Sequence, residues 1–150
     1  MRRMLCTLLI VACVTSAVQA GWLNSWVIDQ FIDYNINYSA PMVDSQGKTY
    51  IQANFTTKYK NTFWVIVYPD TDCVFFSQRT TSYSLFVDNA VYVASRFGAD
   101  DMVRLAVAAL GSSGQYSDDG ILHAYFDYYD YTYYTNFLST NGWINLLIKP

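Results

Sequence analysis

The chemistry-bearing side chains of this sequence are concentrated in Tyr125-Phe126-Asp127-Tyr128-Tyr129-Asp130-Tyr131-Thr132-Tyr133-Tyr134, which holds six of the fourteen tyrosines in ten residues. Read as one continuous strand, the segment places Tyr125, Asp127, Tyr129, Tyr131 and Tyr133 on one face, because successive side chains of a strand point to opposite sides. Phenol rings are rigid, apolar in the body and polar at the tip. A face of this kind can stack on sugars, grip protein loops, or carry sulfated or cross-linked tyrosine. The five residues are therefore the candidate binding surface.

Aspartates form the second constellation. All twelve acidic residues are Asp, and they pair at Asp70 and Asp72, Asp100 and Asp101, Asp118 and Asp119, and Asp127 and Asp130. Hard carboxylate oxygens suit calcium, which makes Asp70, Asp72, Asp127 and Asp130 its weak candidates, although the spacing of an EF-hand loop is absent. Asp70 and Asp72 flank a turn, and Asp100 and Asp101 open a helix, so both pairs also have ordinary structural roles. Two converging aspartates would suffice for a small hydrolase, since glycosidic carboxylates need no fixed sequence spacing. No other catalytic pattern is present. His123 is the only histidine, no Gly-x-Ser-x-Gly elbow surrounds a serine, and neither a zinc cluster nor a phosphate loop can be assembled. No catalytic residue and no cofactor is expected.

The amino terminus sets the compartment. Arg2 and Arg3 precede an apolar run from Leu5 to Val14, and Val18-Gln19-Ala20 supplies small residues at a cleavage position, the pattern of a signal peptide over residues 1–20. Its apolar core is about half the length needed to span a bilayer, so no transmembrane anchor is expected. The product is then a secreted, extracellular domain of residues 21–150. In it Cys73 is the sole cysteine, either packed as a small hydrophobe within Cys73-Val74-Phe75-Phe76 or available for an intermolecular disulfide and hence a homodimer. Asn37-Tyr38-Ser39 and Asn54-Phe55-Thr56 fit the N-glycosylation acceptor, which makes Asn37 and Asn54 candidate glycan sites in a eukaryotic secretory pathway.

Charge excludes one class of partner. Without Arg2 and Arg3, seven cationic residues face twelve Asp, a formal charge of −5 that argues against nucleic acid. The expected partners are an extracellular protein, carbohydrate or mineral surface.

The elements that must position these residues read as a single α+β domain, mainly antiparallel sheet with two helices packed on it. Residues 22–34 have helical spacing, with Trp22, Leu23, Trp26, Val27 and Phe31 on one side and Asn24, Ser25, Asp29 and Asp33 on the other. Strands are expected over Thr49–Tyr59, Thr62–Tyr68 and Cys73–Phe76. Two more are expected over Ser84–Val87 and Ala90–Ala94, with a turn at Asp88-Asn89 between them, as a meander. A helix near 100–110 follows, opened by Asp100 and Asp101 and stopped at Gly111. Ile121–Phe137 and Trp143–Ile148 complete the sheet. The order Tyr50-Ile51, Phe55, Lys58-Tyr59, Trp64 and Ile66-Val67 also resembles, over about twenty residues and with one insertion at Phe63, the helix-to-strand segment of the dynein light chain family. That resemblance implies a helix through Asn54-Phe55-Thr56 and binding of partner peptides along a sheet edge; it carries no site residues.

These features point to a secreted, acidic, tyrosine-rich glycoprotein with a non-catalytic role in a matrix, on mineral, or in carbohydrate or protein recognition. A secreted effector or toxin-like module and an aspartate-dependent hydrolase are the alternatives.

Overall fold

A computed structural model describes residues 22–150; the leader assigned to residues 1–20 lies outside them. In chain order the elements are α1 (Trp22–Asp33), β1 (Met42–Val43), β2 (Thr49–Thr56), β3 (Thr62–Tyr68), a 3-10 turn (Pro69–Thr71), β4 (Cys73–Arg79), α2 (Tyr83–Ser95), α3 (Asp100–Ser113), β5 (Gln115–Tyr116), β6 (Leu122–Tyr128), β7 (Tyr131–Thr140) and β8 (Trp143–Lys149). All eight strands belong to one antiparallel sheet ordered β1-β2-β3-β4-β8-β7-β6-β5. The fold is α+β with a mainly antiparallel sheet.

This order reads alike from both edges. Each half contains a helix, a two-residue strand and then three longer strands, the second half with α2 added ahead of it, and the halves meet where β4 pairs with β8. The turns after the two short strands share one hydrogen-bond pattern. Asp44 N–H donates to the Lys48 carbonyl and Gly47 N–H to the Asp44 carbonyl; Ser117 N–H donates to the Ile121 carbonyl and Gly120 N–H to the Ser117 carbonyl. Gly47 and Gly120 hold φ of +78° and +76°, a left-handed conformation that glycine adopts without steric cost.

Alternation along the strands divides the sheet into two unlike faces. Phe55, Phe63, Val65, Val67, Val74, Phe76, Ile144, Leu146, Ile148, Tyr133, Ala124 and Phe126 are buried beneath the helices. Phe97, in the α2–α3 connection, stands at the centre of an aromatic cluster, 5.0 Å from Phe31, 5.8 Å from Phe55 and 6.4 Å from Phe76 between ring centroids. Phe86 of α2 stacks on Phe63 and meets Phe137 edge-on.

The expected strands over 84–87 and 90–94 are instead the single helix α2. Its buried residues Phe86, Asn89, Ala90, Val93 and Ala94 recur at three- and four-residue intervals, and the Ser82 hydroxyl accepts from Leu85 N–H at the helix start. Short runs of valine resemble strands when taken four residues at a time; only the longer window shows the period. The expected Asp88-Asn89 turn is mid-helix, and the meander is correspondingly interrupted, since β4 is followed by two helices and pairs next with β8.

Three smaller expectations also change. The helix implied by the dynein light chain resemblance is strand β2. The helix begun by Asp100 and Asp101 passes Gly111 and runs to Ser113, and the glycine demanded by packing is Gly114, where a Cβ would collide with the Leu110 carbonyl and the Leu122 side chain. Asn24, assigned to the solvent side of α1, is buried: its side-chain amide donates to the Tyr68 carbonyl at 2.9 Å.

One polar pair lies inside the apolar layer, where Asn89 Nδ2 donates to Gln78 Oε1 at 3.1 Å and both residues are buried. Gln78→Leu removes the acceptor and strands the Asn89 amide, which should cost about 1–3 kcal/mol in urea unfolding. The double substitution Gln78→Leu/Asn89→Leu should recover most of that loss.

Candidate functional site

The tyrosine segment is not one strand. Tyr129 and Asp130 form the turn between β6 and β7, with Tyr129 at φ +53°, and cross-strand pairing sets Tyr125 against Tyr134, Phe126 against Tyr133, Asp127 against Thr132 and Tyr128 against Tyr131. The hairpin redistributes the candidate surface. Tyr125 and Asp127 remain on the helix-free face of the sheet, and Tyr129 protrudes at the tip with 85% of its surface exposed. Tyr133 is fully buried against Phe126, and Tyr131, still exposed, stacks on Trp22 at 4.7 Å on the other side of the sheet, so neither shares a face with Tyr125 and Asp127. A one-residue change of register across an unanticipated turn exchanges the two faces.

The helix-free face carries Trp64, Trp143, Tyr125 and Tyr134. Cross-strand register lays out one row of Gln52, Ile66, Phe75, Leu147, Asn136 and His123, and beside it a second row of Asn54, Trp64, Ser77, Asn145 and Leu138. Trp64 and Trp143 lie 5.1 Å apart at 54°, flanking buried Ser77, whose hydroxyl donates to Asn145 Oδ1 at 2.6 Å. Toward the tyrosine hairpin, Lys149 sits over the Tyr134 ring and His123 stacks with that ring at 5.8 Å. Strand periodicity shows that these residues alternate with the core, but only the sheet order β3-β4-β8 brings both tryptophans together.

The remaining candidates are dispersed. Cys73 opens β4 on the same face and lines a shallow depression with Asp44, Lys48, Tyr68 and Lys149; its thiol donates to the Thr71 carbonyl. His123 is three strand spacings away from β4, about 14 Å, so the structure does not assemble a Cys–His pair. Asn37 and Asn54 are both exposed and line one depression, with Asn54 on β2 directly opposite Trp64. Among the calcium candidates, Asp70 is exposed in the 3-10 turn, Asp130 is exposed in the hairpin turn, and Asp127 accepts from the Thr132 hydroxyl at 2.7 Å. Asp72 turns inward: it is 5% exposed and accepts from Asn24 N–H at 2.9 Å. No group of three or more His, Cys, Asp or Glu able to hold a metal ion occurs among the described residues. No described helix is long and apolar enough to cross a membrane.

Compared with known proteins, the chain matches no family model, no curated protein and no solved structure.

Hydrogen bonding shifts Asp44 in the β1–β2 turn, and burial shifts the tyrosines of the hairpin. Asp44 is held below the ordinary carboxylate value chiefly by the Lys48 backbone amide it accepts from, with Gln46 N–H and the Tyr68 hydroxyl adding to that effect. Tyr128 is pushed up to about 12, first by desolvation and then by Tyr129, Asp101 and Asp100. Its phenolate is thus disfavoured in the folded state relative to the unfolded chain. Stability from this group is complete below the unfolded value of about 10 and is lost as pH rises through about 12. Denaturation between pH 9 and 12 should show a falling stability whose slope is reduced in Tyr128→Phe, and ultraviolet titration of that variant should lack one late-ionising tyrosine.

Proposed function

We propose that the protein is a secreted, non-catalytic recognition domain that binds carbohydrate on the helix-free face of its sheet. The observation that carries the reading is the composition of that face, where Trp64, Trp143, Tyr134 and Tyr125 alternate with the amides Gln52, Asn54, Asn136 and Asn145. Aromatic rings offer apolar surfaces to the C–H faces of a sugar, and amides both donate to and accept from its hydroxyls. Strands hold these groups at fixed spacings, so little freedom is lost on binding. Charged side chains at this face are few and of both signs, Arg79, Lys149, Asp127 and the Asp44 and Lys48 of the β1–β2 turn, which favours a neutral glycan over a mineral or a strongly charged polymer. The exposed sequon at Asn37 supports a glycoprotein passing through a secretory pathway, whereas Asn54, opposite Trp64, serves as a ligand contact and not as a glycan carrier.

Sedimentation with insoluble neutral polysaccharides, with chitin, cellulose and a β-glucan as probes, tests the reading. At least one should retain the protein, and Trp64→Ala and Trp143→Ala should each weaken retention about tenfold, the equivalent of about 1.4 kcal/mol of ring contact. Tyr129→Ala, at the hairpin tip, should bind as the unsubstituted protein does. Retention by none of the polymers, or retention indifferent to both tryptophans in variants that melt normally, would reject a glycan-binding face.

A further inference from the structure

Beside β6, where β5 pairs only with Leu122 and His123 and leaves the rest of the strand uncovered, the start of α3 and the tyrosine hairpin form a second depression. It measures about 450 Å³ and is lined by Asp101, Arg104, Leu105, Tyr128 and Tyr129. Tyr128 and Tyr129 meet edge to face, with ring centroids 4.6 Å apart at 71°, and the buried Tyr133 backs Tyr128 at 6.3 Å. Leu105 and Tyr129 are both exposed, so one apolar side chain and one ring open to solvent here.

Neither the turn nor the core calls for a tyrosine at position 129. The β7–β8 hairpin places Asn141 and Gly142 at φ +53° and +80°, residues that take left-handed backbone readily, whereas Tyr129 holds φ +53° at a steric cost. Packing does not repay that cost, because most of the ring stays in solvent. What the ring does is form one wall of the depression, steeply inclined to Tyr128.

Carboxylates stand around these rings. Asp100 and Asp101 lie close enough to Tyr128 to oppose its ionisation, and Asp130 is exposed in the adjoining turn. Arg104 is the cation lining the depression, and its Nε lies 3.9 Å from Asp100 Oδ2, while Asp101 forms no ion pair among the described residues. The start of α3 adds about half a positive charge, which is less than Asp101 and Asp130 together offset. Acids at a helix start are ordinary by themselves; aromatic rings beside them add a negative face of a different kind, the ring quadrupole. Among the described residues the cations lying over rings are Lys58 on Tyr59 and Lys149 on Tyr134, both elsewhere. We infer that the depression binds an alkylammonium group, its methyl or methylene surface against Tyr128, Tyr129 and Leu105 and its charge toward Asp101. A lysine side chain of a partner protein and a free quaternary amine share that chemistry, an apolar surface carrying one positive charge, which suits a ring face beside a carboxylate. The site is separate from the glycan-binding face and does not rest on that reading.

Proton NMR of the purified protein at constant ionic strength tests the site, with tetramethylammonium and an acetylated, amidated lysine as the probes. Binding should shift the Tyr128 and Tyr129 ring signals and the Leu105 methyl signals together, saturating with a dissociation constant of about 1 mM or lower. Tyr129→Ala should weaken it about tenfold and Asp101→Asn about fivefold, while Tyr129→Phe, which keeps the ring, should stay within about twofold. Lysine bound as tightly as tetramethylammonium assigns the site to a protein side chain; tetramethylammonium bound alone assigns it to a quaternary amine. The neutral tert-butanol, of similar shape, should leave these signals in place, and equal shifts from it would overturn the inference by reducing the depression to an apolar patch. Two further results overturn it: neither cation saturating these signals below about 50 mM, or binding that Tyr129→Ala leaves unchanged. Polysaccharide retention measured on the same variants keeps the two sites distinguishable, because Tyr129→Ala and Asp101→Asn should leave it as it is.

Discussion

Three helices cover one face of an eight-stranded sheet, and that one-sided coverage governs the rest of the molecule. Every long strand must then present apolar side chains to the helices while its alternate residues meet solvent. Phe97 is the point on which the coverage turns, because it is anchored between α2 and α3 and touches rings from both α1 and the sheet. The burial is continuous from Phe55 on β2 to Phe126 on β6, so the β4–β8 seam is held from above by side chains as well as by its own ladder. A sheet built from two similar halves would otherwise have its weakest join there, where the paired strands are furthest apart in sequence.

Buried polar groups give this apolar layer its register. Gln78 on β4 meets Asn89 on α2, and Asn24 on α1 meets both Asp72 and the Tyr68 carbonyl. Each contact joins a helix to the sheet at one position, and a slip of either element would leave a desolvated amide or carboxylate without a partner. Apolar packing tolerates small displacements more readily, so these few hydrogen bonds specify placement where the phenylalanines supply adhesion. The same logic separates the two ends of the sheet: one end gathers Asp72, Trp22, Tyr131 and Tyr133 around the start of α1, while the helix-free face carries tryptophans and amides.

Much of the secondary structure was legible because the signals were long. The α1 and α3 stripes extend over three turns, and β3, β4 and β8 are apolar runs bounded by turn residues, so their types followed from periodicity. The segment 83–95 was misread because its valines satisfy β-propensity locally, and the helical spacing of Phe86, Asn89, Ala90 and Val93 emerges only over the whole helix. The tyrosine segment failed for a different reason. No glycine or proline marks Tyr129-Asp130 as a turn; the left-handed conformation falls on a tyrosine, and the one turn-forming residue beside it, Asp130, is matched by Asp127 within the strand.

By itself, the sequence determined the charge balance, the leader-like terminus, the single cysteine of the domain, the two sequons and the α+β class, since each depends on composition or on short-range pattern. The tertiary structure alone decided which of those residues meet. It buried Tyr133 and Asp72, separated Cys73 from His123, and set Trp64 beside Trp143. The physical reason is that face and neighbour depend on strand order and register, which are fixed by contacts between residues tens of positions apart, and periodicity within one strand carries no information about which strand will lie beside it.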